Sequence, residues 1–135
     1  MLTPRQAVLE TNLAFYEAFF ARDLHAMDRL WSATNPIACV HPGWQAVHGR
    51  GPVMASWRAI LGSPSAPLVR CREAQATLID QVAVVTCVEE IGQGRLVATN
   101  VFAFEDGLWK MVHHQAAPFT ERVVPDDAPP PDSLN

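Results

Sequence analysis

ATNVFAFEDGLWKMVHHQAAP, residues 98–118, carries two runs of strand character on either side of Glu105-Asp106-Gly107. Gly107 tolerates the positive φ that a tight β-connection needs, so the stretch reads as a hairpin. Strand side chains alternate between faces, which puts Trp109, Met111, His113 and Gln115 on one face and His114 on the other. A core strand would show only apolar groups there. A solvent-facing strand would seldom show Trp and Met. An apolar wall with an imidazole and an amide set into it suits the lining of a pocket. On the facing strand Asn100 shares a side with Phe102 and Phe104. A ligand, or His113 across the hairpin, would satisfy its amide.

Upstream the pattern is first helical, then β. Thr3-Pro4-Arg5-Gln6 offers a capping box with Pro at the first helical position. Leu9, Leu13, Tyr16, Phe19 and Phe20 recur at three- and four-residue steps, which predicts a helix over 4–21. Arg22-Asp23 interrupts it, and Asp23 caps a second helix over 24–31 that Asn35-Pro36 terminates. Residues 37–41 read as a short strand stopped by Pro42-Gly43, and a loop carries Trp44 and His48. Gly51-Pro52 opens a third helix, which Gly62 ends. Four strands follow, over 68–79, 82–91, 96–104 and 108–116, with turn residues at hairpin spacing. Helices and strands stay segregated along the chain, so the fold class is α+β: an antiparallel sheet, strongly curved around N-terminal helices. The organisation reads as one domain over 1–119 and a Pro- and Asp-rich tail over 120–135.

Composition narrows the function. The chain has 135 residues, 49% of them hydrophobic, which is enough for a core. Its net charge is −4 with no basic patch, so nucleic acid is not an expected partner. No apolar run approaches the ~18 residues of a membrane helix. The N-terminus lacks a signal-peptide pattern, so the expected location is the cytoplasm. Cys39, Cys71 and Cys87 are an odd number without metal-ligand spacing, and each sits in an apolar stretch as a small buried hydrophobe. There is no HxxxH, CxxC, HExxH or GxSxG and no glycine-rich phosphate loop, so neither metal nor cofactor is expected.

The chemistry-bearing residues fall in four places. His41 ends the short strand and His113 lies in the last one; either imidazole could act as general acid or base near neutral pH. Glu89 interrupts the apolar run VAVVTCVEE, where alternation puts it on one face with Val85 and Cys87. A carboxyl held in a dry cavity has a raised pKa and can move protons. Trp44, in its Pro-Gly loop, is placed to roof a pocket. Tyr16, His48, Trp57, Asn100 and Phe102 would complete the lining.

NLAFYEAFFARDLHAMDRLW, CVHPGW followed by HGR, and DGLWKMVHHQAAP occur in the order seen in the nuclear transport factor 2-like superfamily, also known as the SnoaL-like or cystatin-cone fold. The chain resembles that superfamily over 7–118. The resemblance implies a cone with a cavity between the long helix and a bent sheet, and a homodimer formed through the outer sheet face. It implies no single function, because the fold hosts isomerases, dehydratases and cyclases beside non-enzymatic assembly domains. The expected role is therefore a pocket for a small apolar or amphipathic molecule, with general acid-base catalysis of isomerisation, dehydration or cyclisation. The alternative is a dimerisation or ligand-sensing domain without catalysis.

Overall fold

Thr3 accepts the amide of Gln6, whose side chain in turn accepts the amide of Thr3, so the expected capping box starts helix α1 (Pro4–Ala21). The structure, a computed structural model, describes residues 1–120. The expected tail lies outside the described residues apart from Thr120. Asp23 accepts the amide of Ala26 and begins α2 (Leu24–Leu30). This helix stops one residue early because Trp31 is extended and bridges Met111 of the last strand.

Two short strands, β1 (Ala38–Val40) and β2 (Val47–His48), precede α3 (Arg50–Leu61). Four long ones follow: β3 (Val69–Ile79), β4 (Val82–Ile91), β5 (Gly94–Glu105) and β6 (Leu108–Pro118). They form one unclosed six-stranded sheet in the order β2-β1-β6-β5-β4-β3. The long strands make the expected antiparallel meander, whereas β1 joins β6 in parallel. The strand β2 is not legible in the sequence, because two residues are too few to show alternation. The β5–β6 connection is a two-residue turn with positive φ at both Asp106 and Gly107, a geometry whose twist matches that of the strands.

Two bulges bend this sheet around α1. In β3 the register shifts between Arg72 and Gln75, with Glu73 at φ 56°. In β6, Phe102 pairs with Met111 but Val101 pairs with His113, so Val112 is the extra residue. An extra residue increases local twist and moves every later side chain to the opposite face. Trp109 and Met111 therefore point inward, and beyond the bulge the inward residues are His114 and Ala116. This corrects the strict alternation read from the sequence: His113 is half-buried on the convex face and Gln115 is exposed.

On the concave face Phe15 and Phe19 of α1 pack edge-on against Trp57 of α3, with ring centroids 5.5 and 5.0 Å apart. Arg50 ties α3 to the end of α2 by donating to the carbonyls of Asp28, Trp31 and Ser32 and pairing with the Asp28 carboxylate. The amide of Gly49, just before α3, donates to the Ile37 carbonyl and holds the start of α3 beside β1. Among the described residues no helix is long and apolar enough to cross a membrane.

Candidate functional site

A chain of polar side chains runs through the interior from α1 to β6. Asn12 and Tyr16 lie one helical turn apart on the buried face of α1 and meet Asn100 on β5. The Asn100 amide nitrogen donates to Asn12 Oδ1 at 2.8 Å and to the Tyr16 hydroxyl at 3.1 Å. Its oxygen is thereby turned to His114 Nδ1, directly opposite in the β5–β6 register and 2.6 Å away. His114 Nδ1 must carry the proton of that bond, which leaves Nε2 as a bare acceptor. Tyr16 donates to Glu89 Oε2 at 2.6 Å, and that oxygen stands 3.8 Å from His114 Nε2.

Burial sets the charge of this chain. Glu89 is 2% exposed and His114 1%. Desolvation pushes the Glu89 carboxyl up to about 7, against the opposing hydrogen bond from Tyr16. It pulls the His114 imidazole down to about 3, helped by repulsion from His41 and His113. Between those limits the two groups are both neutral, so their contact is a neutral acid beside a neutral base rather than an ion pair. Burial and the neighbouring Glu89 hold the Tyr16 phenol far above its usual range, so it serves as a fixed donor.

His41 forms a second cluster beside the first. The hydroxyl of Ser56 donates to the Val53 carbonyl at 2.7 Å, so it accepts from His41 Nε2 at 2.9 Å. Burial lowers this imidazole to about 4. Its ring lies 6.4 Å from that of His114 and 4.8 Å from the indole of Trp44.

The two clusters open on one pocket of about 140 Å³, lined by His41, Glu89 and His114 together with Phe19, Pro42, Trp44, Ile60, Pro67, Val69, Ile91 and Leu96. Trp44 is 47% exposed and its indole stands edge-on over His41 at the rim. On the far side of Tyr16 a separate groove between α1 and β3 reaches Cys71. The Cys71 thiol is held below its ordinary range by hydrogen bonds from Cys87 and the Asn12 amide. Cys87 is correspondingly raised by that same bond and by burial, and burial pushes Cys39 up to about 12. Among the described residues no three His, Cys, Asp or Glu side chains converge to hold a metal.

A family model described as a SnoaL-like domain matches residues 8–120. The chain belongs to the SnoaL-like domain family. Among solved structures, this SnoaL-like chain is similar to an NTF2-like family protein from Streptomyces avermitilis, provisionally described as a dehydratase. The two are 28% identical over 87% of this chain and 96% of that one, with a TM-score of 0.78. It is also similar to a protein from Thiobacillus denitrificans provisionally described as a calcium/calmodulin-dependent protein kinase type II association domain. That match is 32% identical over 87% of this chain and 96% of the other, with a TM-score of 0.63. A curated relative, the F-box protein SKIP8 of Arabidopsis thaliana, is 27% identical over 83% of this chain. The chain spans about half (49%) of that relative's length.

Of the residues singled out in the sequence, His41, Glu89 and Trp44 line the pocket of this SnoaL-like domain, with Tyr16 and Asn100 bonded directly behind it. Trp57 and Phe102 are fully buried in the core, and Trp57 backs the two imidazoles with its ring 4.8 Å from His41. His48 is exposed on β2, paired with Ala38 and away from the cluster. His113 faces outward, and His114 holds the inward place expected of it. Asn12 and Ser56 were not anticipated. Asn12 had a visible signal, since an Asn four residues before Tyr16 shares its helical face.

Proposed function

We propose that this SnoaL-like domain binds a small, largely apolar molecule in the pocket and catalyses loss of water from it, with Glu89 as acid and His114 as base. The observation that carries the reading is the placement of a neutral carboxylic acid and a neutral imidazole 3.8 Å apart on the wall of an apolar pocket. Groups whose environments separate their proton affinities are the usual basis of acid-base assignments. In the step itself, Glu89 protonates a departing hydroxyl while His114 Nε2 removes a proton from the neighbouring carbon. Water leaves, a C=C bond forms, and the site is left as carboxylate and imidazolium. Their separation lets the proton pass back and restore both neutral forms. Asn100 fixes the His114 tautomer, and Tyr16 orients the carboxyl. The provisional description of the Streptomyces relative as a dehydratase agrees with this reaction class.

The test is turnover of a cyclic β-hydroxyketone of one ring, read as the ultraviolet absorbance of the enone product. Glu89→Gln and His114→Gln should each reduce the rate about 100-fold or more. Wild-type protein that forms no enone above the uncatalysed rate, from any hydroxyketone small enough to enter, would end the catalytic reading.

A second reading has its own observation. The convex face carries Val84, Val88, Val97, Val101 and Val112, none of them fully buried. Partly exposed branched residues on a sheet face suit a partner subunit, and the Thiobacillus relative is provisionally described as an association domain. We infer a homodimer through this face, with or without catalysis. Sedimentation should give twice the chain mass for the wild type and the single chain mass for Val101→Glu.

A further inference from the structure

The donor and acceptor inventory of the pocket narrows the ligand further than its size does. At about 140 Å³ the pocket is close to the ~150 Å³ engineered cavity that accepts a benzene molecule. A single six-membered ring with small oxygen substituents fills it. Eight of its lining residues are apolar or aromatic, and the other three, His41, Glu89 and His114, carry all of its side-chain hydrogen-bonding capacity apart from the rim indole of Trp44. No Lys or Arg lines it.

Each of those three groups is already committed on its far side. His114 spends its only N–H on Asn100, so Nε2 can only accept. His41 spends its N–H on Ser56, so Nδ1 also can only accept; the Cys39 sulfur lies 3.8 Å from it. One Glu89 oxygen accepts from Tyr16. The pocket therefore presents bare acceptors to its contents, together with one acidic proton when the carboxyl holds it. A carboxylate or phosphate ligand would face lone pairs with no cation to balance it, and a buried uncompensated charge is strongly disfavoured. A wholly apolar ligand would leave the His114 acceptor unmet. An oxygen can sit at about 2.8 Å from both His114 Nε2 and Glu89 Oε2, because those atoms are 3.8 Å apart.

We propose that the pocket selects an uncharged single-ring alcohol whose hydroxyl donates to His114 Nε2 and receives the proton of Glu89. This rests on the reading of the pocket as a small-molecule site. It is the class of molecule that a water-eliminating pair would need: the hydroxyl lies on Glu89, which protonates it, and its departure frees Nε2 for the proton of the neighbouring carbon.

Phenol, isosteric toluene and benzoate test the class, because phenol carries the hydroxyl but cannot lose it. The full chain, labelled with ¹⁵N in its histidine side chains, is titrated with each at about pH 6, where the Glu89 carboxyl keeps its proton. Phenol should bind and shift the His114 Nε2 resonance in the direction of an accepted hydrogen bond. Toluene should bind without that shift, and benzoate should not bind. His114→Gln should weaken phenol about five- to tenfold while changing toluene by less than about twofold. If that variant fails to fold, the wild-type Nε2 shift decides alone. Benzoate binding as tightly as phenol, or phenol binding with Nε2 unmoved, would overturn the ligand class and leave the pocket intact as a binding site. If none of the three probes moves any resonance of a pocket residue, both the class and the small-molecule reading fall.

Discussion

Glu89→Gln removes the titrating proton from the pocket wall while keeping the side chain's shape and an acceptor oxygen for Tyr16. In the wild-type protein burial moves this carboxyl from 4.5 to about 7. At any pH between those values the folded chain holds a proton there that the unfolded chain has released. Stability then falls with pH by about 1.4 kcal/mol per unit. The contribution is fully present below pH 4.5 and is lost as pH rises through 7, a total of about 3 kcal/mol. A glutamine does not titrate and suffers none of this loss. The buried histidines run in the opposite sense: His41 and His114 fall from 6.5 to about 4 and about 3, so their contribution is present above 6.5 and is lost as pH falls. Both proteins retain them, so they drop out of the difference. Urea unfolding followed by tryptophan fluorescence at fixed protein concentration gives the two stability curves. The variant should gain on the wild type by about 3 kcal/mol between pH 4.5 and 7 and hold that lead above it. Parallel curves would show that the folded carboxyl titrates normally. A wild type that gains on the variant as pH rises would show a stabilised anion, with His114 carrying the proton. Either result would refute the assignment of Glu89 as the acid.

Asn100→Leu leaves the His114 N–H and the Asn12 oxygen unpaired in the interior, and should lower stability by about 2–5 kcal/mol in urea unfolding. His113→Ala should leave enone turnover and the His114 Nε2 shift with phenol unchanged, whereas His114→Ala should abolish both. Iodoacetamide should alkylate Cys71 before Cys39 or Cys87 when peptides are mapped by mass. Cys71 is half-exposed with its thiol held below the ordinary range, and the other two are buried with theirs raised.

Most elements could be read because each rests on local chemistry. The capping box at Thr3, the Asp23 cap and the Asp106-Gly107 turn act over three or four residues, and those residues are adjacent in the chain. The inward turn of Glu89 was legible for the same reason, since β4 alternates without interruption from Ala83. The site was harder to read because it depends on register between distant segments. Asn12 and Asn100 are 88 positions apart and meet only when α1 lies across β5. Nothing near either residue specifies that crossing.

The bulge at Val112 shows how one residue decides which histidine has a chemical role. Both neighbours of the insertion carry ordinary strand residues, and no glycine marks it. The signal lies further along the strand: Trp109 and Met111 require one phase, while Ala116, the small residue packed inside, requires the other. Only an odd insertion between them satisfies both. The same insertion brings Nδ1 of His114 to Asn100 and Nε2 to Glu89, and it sends His113 to the convex face. Deleting Val112 should restore strict alternation with Trp109, Met111, His114 and Ala116 all on the inner face. The imidazole then keeps its side of the sheet, and only the extra twist that the insertion adds is lost. The His114 Nε2 shift with phenol should survive in the folded deletion variant, and an imidazole that no longer responds to phenol would contradict that outcome.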